Sequence, residues 1–405
     1  MSKRVGIVGG GPAGSSIALA LVRHGIDPND LVILDKARFP RPKLCGGGIT
    51  HRGTSMIAEL LGGMPEGGAT TVGLEFRSAI GRFPVREVGP QWVFDRGLLD
   101  DLLLDRARAA GVEVREGVKV LGARPTSEGW RVDYEGGGES FRWLVGADGA
   151  TSLIRREAGL PGGILGRLVE AVYEPMGEAD PNTLVFDFDP VLEGIPGYAW
   201  IFPYPKPGSA GRYKLGIMDG RGVVPGDRLR EFTARFAERN DFRLLEPKIA
   251  GWPEHYFSFS AKSHRPGLLL TGEAFGIDPL LGEGITPSLE ISAYAGARLA
   301  NAIRSGSDTI PRYELDFVLS SHGRNLFYQA VLANRLYGRH PNRWMRVLFE
   351  NRAIRELAGR GDFLYGRLSG KSASLGWAFF VEFLRNGFPS SAPLTLAADV
   401  AERKS

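Results

Sequence analysis

The chain has 405 residues, 43% of them hydrophobic and 24% charged, which excludes a disordered chain and suggests two or three subdomains. Its net charge of +4 is spread thinly with no basic run dense enough for a nucleic-acid arm, and its single cysteine, Cys45, excludes an intramolecular disulfide and a thiolate-rich metal site. No apolar stretch reaches the roughly 18 residues needed to span a bilayer and no leader precedes the first apolar run, so a cytoplasmic protein is expected, with peripheral membrane contact left open.

Residues 4–36 read as one strand–turn–helix–strand unit. Val5, Ile7 and Val8 make an apolar run short enough for a buried parallel strand. Gly9, Gly11 and Gly14 follow with G-x-G-x-x-G spacing. The first lets the chain turn tightly, the second lets backbone approach a pyrophosphate, and the third lets helix and strand pack closely. Ile17, Ala18, Leu21 and Val22 recur at helical spacing, which aims the helix N-terminus at the phosphates. Residues 31–34 form a second strand, and Asp35 at its end is placed to accept hydrogen bonds from adenosine ribose hydroxyls. The whole unit predicts dinucleotide binding.

Residues 39–54 form a Pro/Gly loop leading into a helix at 56–61. A helix is expected over 97–110, strands at 112–114 and 118–121, and a hairpin whose turn is Gly136–Gly138. No helix follows that glycine run, so it is not a second dinucleotide site. A buried strand at 143–147 ends in Asp148-Gly149. Residues 165–262 change character: strands at 184–188, 198–202 and 213–218 with an amphipathic helix at 227–239 predict a half-buried antiparallel sheet. Tyr198 and Trp200 share one face of their strand by period two, so both rings either line one cavity wall or pack in the core. A strand at 268–270, a second Gly-rich turn and a helix over 288–303 follow. The nucleotide domain is therefore expected to be discontinuous, 1–164 and 263–305, around a sheet-rich insert at 165–262, with a helical region at 306–405. In that region, 327–349 mixes Phe327, Tyr337, Trp344, Met345 and Phe349 with Arg335, Arg339, His340, Arg343 and Arg346, and Pro341 divides it into two helices. Such a segment is either a helical cover over a substrate cavity or a surface for lipid headgroups. The six histidines are scattered without ligand spacing, so no metal is expected.

Three further features resemble flavoprotein signatures: VGADGATSLIRR at 145–156, LLLTGEAFGIDPLLGEGI at 268–285, and Arg96 just ahead of a helix. In this order around one G-x-G-x-x-G, the chain resembles the glutathione-reductase-type FAD fold shared by aromatic hydroxylases, flavin halogenases and the geranylgeranyl reductase family. Two segments favour the last. FPRPKLCGGGI (39–49) resembles that family's Cys-glycine loop beside the flavin, and GYAWIFP (197–203) resembles its Y-x-W-x-F-P substrate motif. DPLLGEGI (278–285) likewise resembles the family's D-P-x-x-G-E-G-I turn, whereas the W-x-W-x-I-P of flavin halogenases is missing. Glu273 stands where the family usually has Asp, one methylene longer. The resemblance covers about residues 3–305.

It implies an α/β fold with a Rossmann-like FAD-binding domain built on a parallel sheet, an antiparallel-sheet substrate domain and a helical C-terminal region. It implies FAD contacts at Gly9, Gly11, Pro12, Ala13, Gly14, Asp35 and Lys36, and at Cys45, Gly46 and Gly48. Further contacts are implied at Arg96, Val120 and Asp148, and at Glu273, Asp278, Gly284 and Ile285. Cys45, Tyr198 and Trp200 are the expected catalytic residues, with Cys45, Tyr198 or a water giving the proton; a small buried hydrophobe is the other reading of Cys45. The expected activity is reduction of carbon–carbon double bonds in an isoprenoid or other apolar lipid substrate by hydride from reduced flavin, fed by NAD(P)H or another electron donor. The alternative is an FAD-dependent monooxygenase acting on a small aromatic or polyketide-like substrate.

Overall fold

In the computed structural model the described residues are 4–361, apart from 86–88, 206–207, 209–210, 246–248 and 339. The strand Val5–Val8 is buried along its whole length because it lies inside a six-stranded sheet, with Val5 opposite both Leu31 and Trp143. The strand order is His264–Arg265, Leu268–Leu270, Trp143–Gly146, Val5–Val8, Leu31–Asp35, Glu113–Glu116, parallel except at the His264–Arg265 edge. Side chains alternate across it. Val5 and Ile7 meet Ile17, Leu21 and Leu299 from the helices Pro12–Arg23 and Ile285–Arg304. Val8 faces the other way, toward Trp130, Val132 and Phe141 of a three-stranded meander, Val120–Thr126, Gly129–Tyr134 and Gly137–Phe141. The hairpin turn in that meander is tighter than expected: Gly136 takes the left-handed φ of +86°, while Gly137 and Gly138 already lie in the strand. A Cβ on Gly138 would sit 2.7 Å from Arg131 and Asp133 side chains, which explains a glycine inside a strand.

The second large sheet has eight strands. Its order is Phe242–Leu244, Ile164–Pro175, Tyr213–Asp219, Ala199–Pro203, Thr183–Asp187, Gly73–Ser78, Gly81–Pro84, and Ala250–Tyr256 also pairs with Ile164–Pro175. Pairing is antiparallel except between Thr183–Asp187 and Gly73–Ser78. The stretch from 69 to 93 carried no strand prediction, yet it forms Ala69–Thr71, Gly73–Ser78, Gly81–Pro84 and Gln91–Val93. Each is short, so the buried Leu74, Phe76 and Phe83 never build an alternation long enough to read. Two of these strands join the sheet formed mostly by residues 164–256, so the two large sheets are interleaved in sequence.

The faces of this sheet divide the labour. One face, with Val169, Ala171, Leu215 and Ile217, packs Leu229, Phe232 and Phe236 of the helix Gly226–Arg239. Burial of each such side chain contributes about 1.5–3 kcal/mol. The opposite face carries Leu168, Phe186, Trp200, Phe202 and Met218. The helices Ser321–Leu336, Pro341–Glu350 and Arg352–Gly359 cover part of it through Leu336, Met345, Phe349 and Ile354. Pro341 opens the second of these helices, where its missing N–H costs nothing. Residues 362–405 of the expected helical region, and Arg339, lie outside the described residues. Among the described residues no helix is long and apolar enough to cross a membrane.

Candidate active site

The glycine turn is required by the protein at two positions and left open at the third. Gly9 has φ +108°, and a Cβ there would lie 2.3 Å from the Ala147 carbonyl oxygen. A Cβ on Gly14 would lie 1.8 Å from the Gly9 carbonyl oxygen. At Gly11 the nearest atoms to a Cβ are Arg41 Nη2 at 3.5 Å and Asp100 Oδ2 at 4.0 Å, so the fold itself leaves room there. The helix behind it starts with Pro12 and buried Ala13, and has no side-chain cap and no acid in its first turn. Uncapped N–H groups at a helix start attract an anion. Asp100 grips two cations beside this opening: Arg96 binds it through Nε at 2.8 Å and Nη2 at 3.0 Å, and Arg41 at 3.2 Å. Two cations against Asp100 leave one positive charge beside the opening that this carboxylate does not neutralise. These features fit the pyrophosphate of a dinucleotide.

Asp35 ends its strand as expected, with Oδ2 accepting from Gly10 N–H at 2.7 Å and Oδ1 from Ala37 N–H at 2.7 Å. A carboxylate has about four acceptor sites, so two remain for ribose hydroxyls. Lys36 is exposed. Val120 pairs with Tyr134 in the meander, and it is Val118 whose N–H reaches the Asp35 carbonyl, at 2.8 Å. Asp148 uses its carboxylate locally, accepting from Ser152 Oγ at 2.5 Å and from Leu153 and Ile154 N–H at 2.7 and 3.1 Å. Gly149, at φ +80°, leaves the Glu273 carboxylate 3.7 Å from where its Cβ would be.

The Cys-glycine loop threads between aromatic rings. Cβ atoms at Gly46 and Gly48 would lie 2.9 and 3.2 Å from the Phe202 ring, and one at Gly47 would lie 2.2 Å from the Phe94 carbonyl. The half-buried Cys45 is tied down by its backbone: its N–H donates to Glu170 Oε1 at 3.1 Å, and Lys214 Nζ donates to its carbonyl. Glu170 and Lys214 form a buried ion pair at 3.2 Å on neighbouring strands of the second sheet. The thiol sulfur accepts from Gly47 N–H at 3.4 Å and lies beside Arg96.

Between this loop and the second sheet lies a cavity of about 730 Å³, its open mouth included. Tyr198, Trp200 and Phe202 form one wall, Leu168 and Met218 the sheet side, and Cys45, Gly46 and Gly48 the loop side. Gly284 and Ile285, at the uncapped start of the Ile285–Arg304 helix, complete that side. The indole lies over Gly216, where a Cβ would come within 2.3 Å of it. Trp200 Nε1 and Gln91 Nε2 are buried and have no hydrogen-bond partner among the described residues. Tyr198 donates to the Leu281 carbonyl at 2.6 Å and Tyr337 to the Leu280 carbonyl at 2.7 Å, so two phenols hold the turn after Asp278. Asp278 shapes that turn by accepting from Leu280 and Leu281 N–H, and burial pushes its carboxyl up to about 7.

A group of charges, of which sequence reading singled out only Glu273, lies at one end of the cavity. Glu254 lines the cavity and takes the Tyr256 hydroxyl on Oε2 at 2.6 Å. Burial, with the charge of Glu273 added, pushes its carboxyl up to about 8. Burial also raises Glu273 and lowers the Lys43 ammonium between them. The one signal in sequence was a charge inside an apolar strand, as in LVEAVY for Glu170 and YKLGIM for Lys214, because a charge is buried only with a partner.

Residues 2–172 match a family model described as an FAD binding domain. Digeranylgeranylglycerophospholipid reductase 1 of Methanopyrus kandleri is 31% identical over 336 residues, covering 76% of this chain and 84% of that protein. Menaquinone reductase of Mycolicibacterium smegmatis is 30% identical over 75% of this chain and 76% of its own length. Among solved structures, a geranylgeranyl bacteriochlorophyll reductase-like protein from Thermoplasma acidophilum superposes with a TM-score of 0.70 at 20% identity, covering 82% of this chain and 87% of that one.

Proposed function

Because the chain belongs to the geranylgeranyl reductase family of FAD-dependent oxidoreductases, we propose that it saturates carbon–carbon double bonds of an isoprenoid or similarly apolar substrate. The observation that carries this reading is the cavity's asymmetry: aromatic and aliphatic side chains on one side, and on the other the Cys45–Gly48 loop and the start of the Ile285–Arg304 helix. The Gly9–Gly14 turn, Asp35 and Arg96 would hold FAD, which would supply hydride when reduced. Phe202 and Trp200 would lay an apolar chain against the loop and keep water out. Glu170 and Lys214 would fix the height of Cys45, so that its thiol positions the substrate without moving the loop. The unpartnered N–H groups of Trp200 and Gln91 would orient any polar end of the substrate.

The first relative is named for a digeranylgeranyl lipid, which agrees with an apolar substrate. Photoreduced enzyme mixed with a polyprenyl alkene in the absence of oxygen tests the proposal. Flavin reoxidation with a saturated product is the expected result. Hydroxylated product formed only with oxygen would replace the reading with monooxygenation.

A further inference from the structure

Resting on that reductase reading, we infer that Glu254 is the catalytic acid, delivering the proton that completes saturation of the double bond. An isolated alkene is a poor electrophile, so hydride transfer needs a proton arriving at the second carbon. Cys45, Tyr198 and a water were the sequence candidates. Tyr198 already donates to the Leu281 carbonyl at 2.6 Å, where it holds the Asp278 turn. Glu254 is different. It lies on the strand Ala250–Tyr256, opposite Gly166, and lines the same cavity as Cys45, Trp200 and Gly284. Two glycines make room around it. A Cβ on Gly282 would sit 3.2 Å from Glu254 Oε2, and one on Gly166 would sit 2.2 Å from the Tyr256 ring that donates to that oxygen.

The hydroxyl of Tyr256 holds Oε2, which leaves Oε1 to carry the proton. The charged and titratable groups facing the carboxyl are Tyr256 on its own strand, Tyr198 on the adjoining part of the sheet, and Lys43 from the loop before Cys45. Glu273 and Asp278 face it from the segment after Leu270. Burial is the main cause that raises this carboxyl; the two neighbouring carboxyls further disfavour a negative charge, and the Tyr256 hydrogen bond and Lys43 offset them only in part. The carboxyl is therefore protonated at neutral pH and gives up its proton near pH 8.

The step balances as follows. One alkene carbon receives hydride from reduced FAD, and the π pair takes the Glu254 proton at the other carbon, so two C–H bonds form as the C=C π bond breaks. The alkene gains two electrons, the flavin is left oxidised, and Glu254 is left as a carboxylate that water reprotonates.

Two measurements test the assignment. Infrared titration of the purified protein, without substrate, should show a protonated-carboxyl band that disappears as pH rises through about 8 and is missing in Glu254→Gln. In single turnover with a polyprenyl alkene, Glu254→Gln should keep its flavin spectrum yet slow saturation by about 100- to 10,000-fold. The alkaline limb of the wild-type rate should follow the infrared band. Absence of the band at neutral pH, a mutant rate within about threefold of wild type, or loss of FAD by the mutant overturns the role of Glu254. Failure of the wild-type enzyme itself to saturate any polyprenyl alkene overturns the reductase reading instead.

Discussion

Gly11→Ala should separate cofactor binding from folding. An added methyl meets only Arg41 Nη2 at 3.5 Å and Asp100 Oδ2 at 4.0 Å, which are ordinary contacts, so the apoprotein accommodates it. The remaining cost to the fold is that alanine caps a helix less well than glycine, about 0.5–1 kcal/mol, which lowers the apoprotein Tm by only about 1 °C. The methyl does occupy the space beside the Pro12–Arg23 helix start, where a pyrophosphate has to approach backbone. Losing one charge-assisted hydrogen bond costs about 1.5–3 kcal/mol, or about 10- to 150-fold in Kd for FAD. Gly14→Ala is the control. Its methyl would lie 1.8 Å from the Gly9 carbonyl oxygen, so strand and helix must part, at about 1–3 kcal/mol from overpacking. FAD titration by flavin fluorescence, paired with apoprotein melting, reads both effects. An unchanged Kd for Gly11→Ala, or an apoprotein as destabilised as Gly14→Ala, would refute the idea that the cofactor alone demands this glycine.

Asp35→Ala should weaken FAD binding by about 1.5–3 kcal/mol and also lower apoprotein stability, because Gly10 and Ala37 N–H lose their acceptor; isothermal titration and melting separate the two. Glu170→Gln should cost about 3–5 kcal/mol in urea unfolding, since it leaves the Lys214 ammonium buried without its counter-charge; a change below about 1 kcal/mol would mean that water reaches the pair. Gly216→Ala should push the Trp200 indole into the cavity and, with its methyl 2.5 Å from the Val169 carbonyl, also strain the strand pairing, so it should raise KM and lower stability together; an unchanged KM would place the substrate elsewhere. Acid should weaken the contact between the His264–Arg265 edge strand and the helix at Tyr313. Burial raises the Glu314 carboxyl, but the hydrogen bond and charge of His264 outweigh it and hold it at about 2, below its ordinary 4.5. The contribution is therefore whole above about 4.5 and lost as pH falls toward 2; Glu314→Gln should flatten that part of the stability profile.

The features legible in the sequence are those whose parts sit within one segment. The Gly9–Gly14 turn, Asp35 at a strand end, and Tyr198 and Trp200 on one strand face are fixed by local spacing, because helix and strand periods decide what points together. The parallel sheet, the antiparallel sheet and the helical region follow from the same patterning, although Gly73–Ser78 and Gly81–Pro84 of the antiparallel sheet fall outside the expected insert. The cavity's chemistry was not legible in this way. Glu170, Lys214 and Cys45 meet only because Ile164–Pro175 pairs with Tyr213–Asp219 in one register; a slip of either strand by one residue would turn its charge to the face opposite the other's. Asp148 and Asp278 read as cofactor contacts, yet their carboxylates accept from nearby backbone N–H groups, an alternative that spacing alone does not separate from ligand binding. Glu254 looks in sequence like any strand glutamate. Its proton is held by burial and by Glu273, which lies 19 residues further along the chain. Such neighbours are set by how two sheets pack across a cavity, and desolvation depends on everything that closes around a group, so tertiary structure alone decides which carboxyl stays an acid.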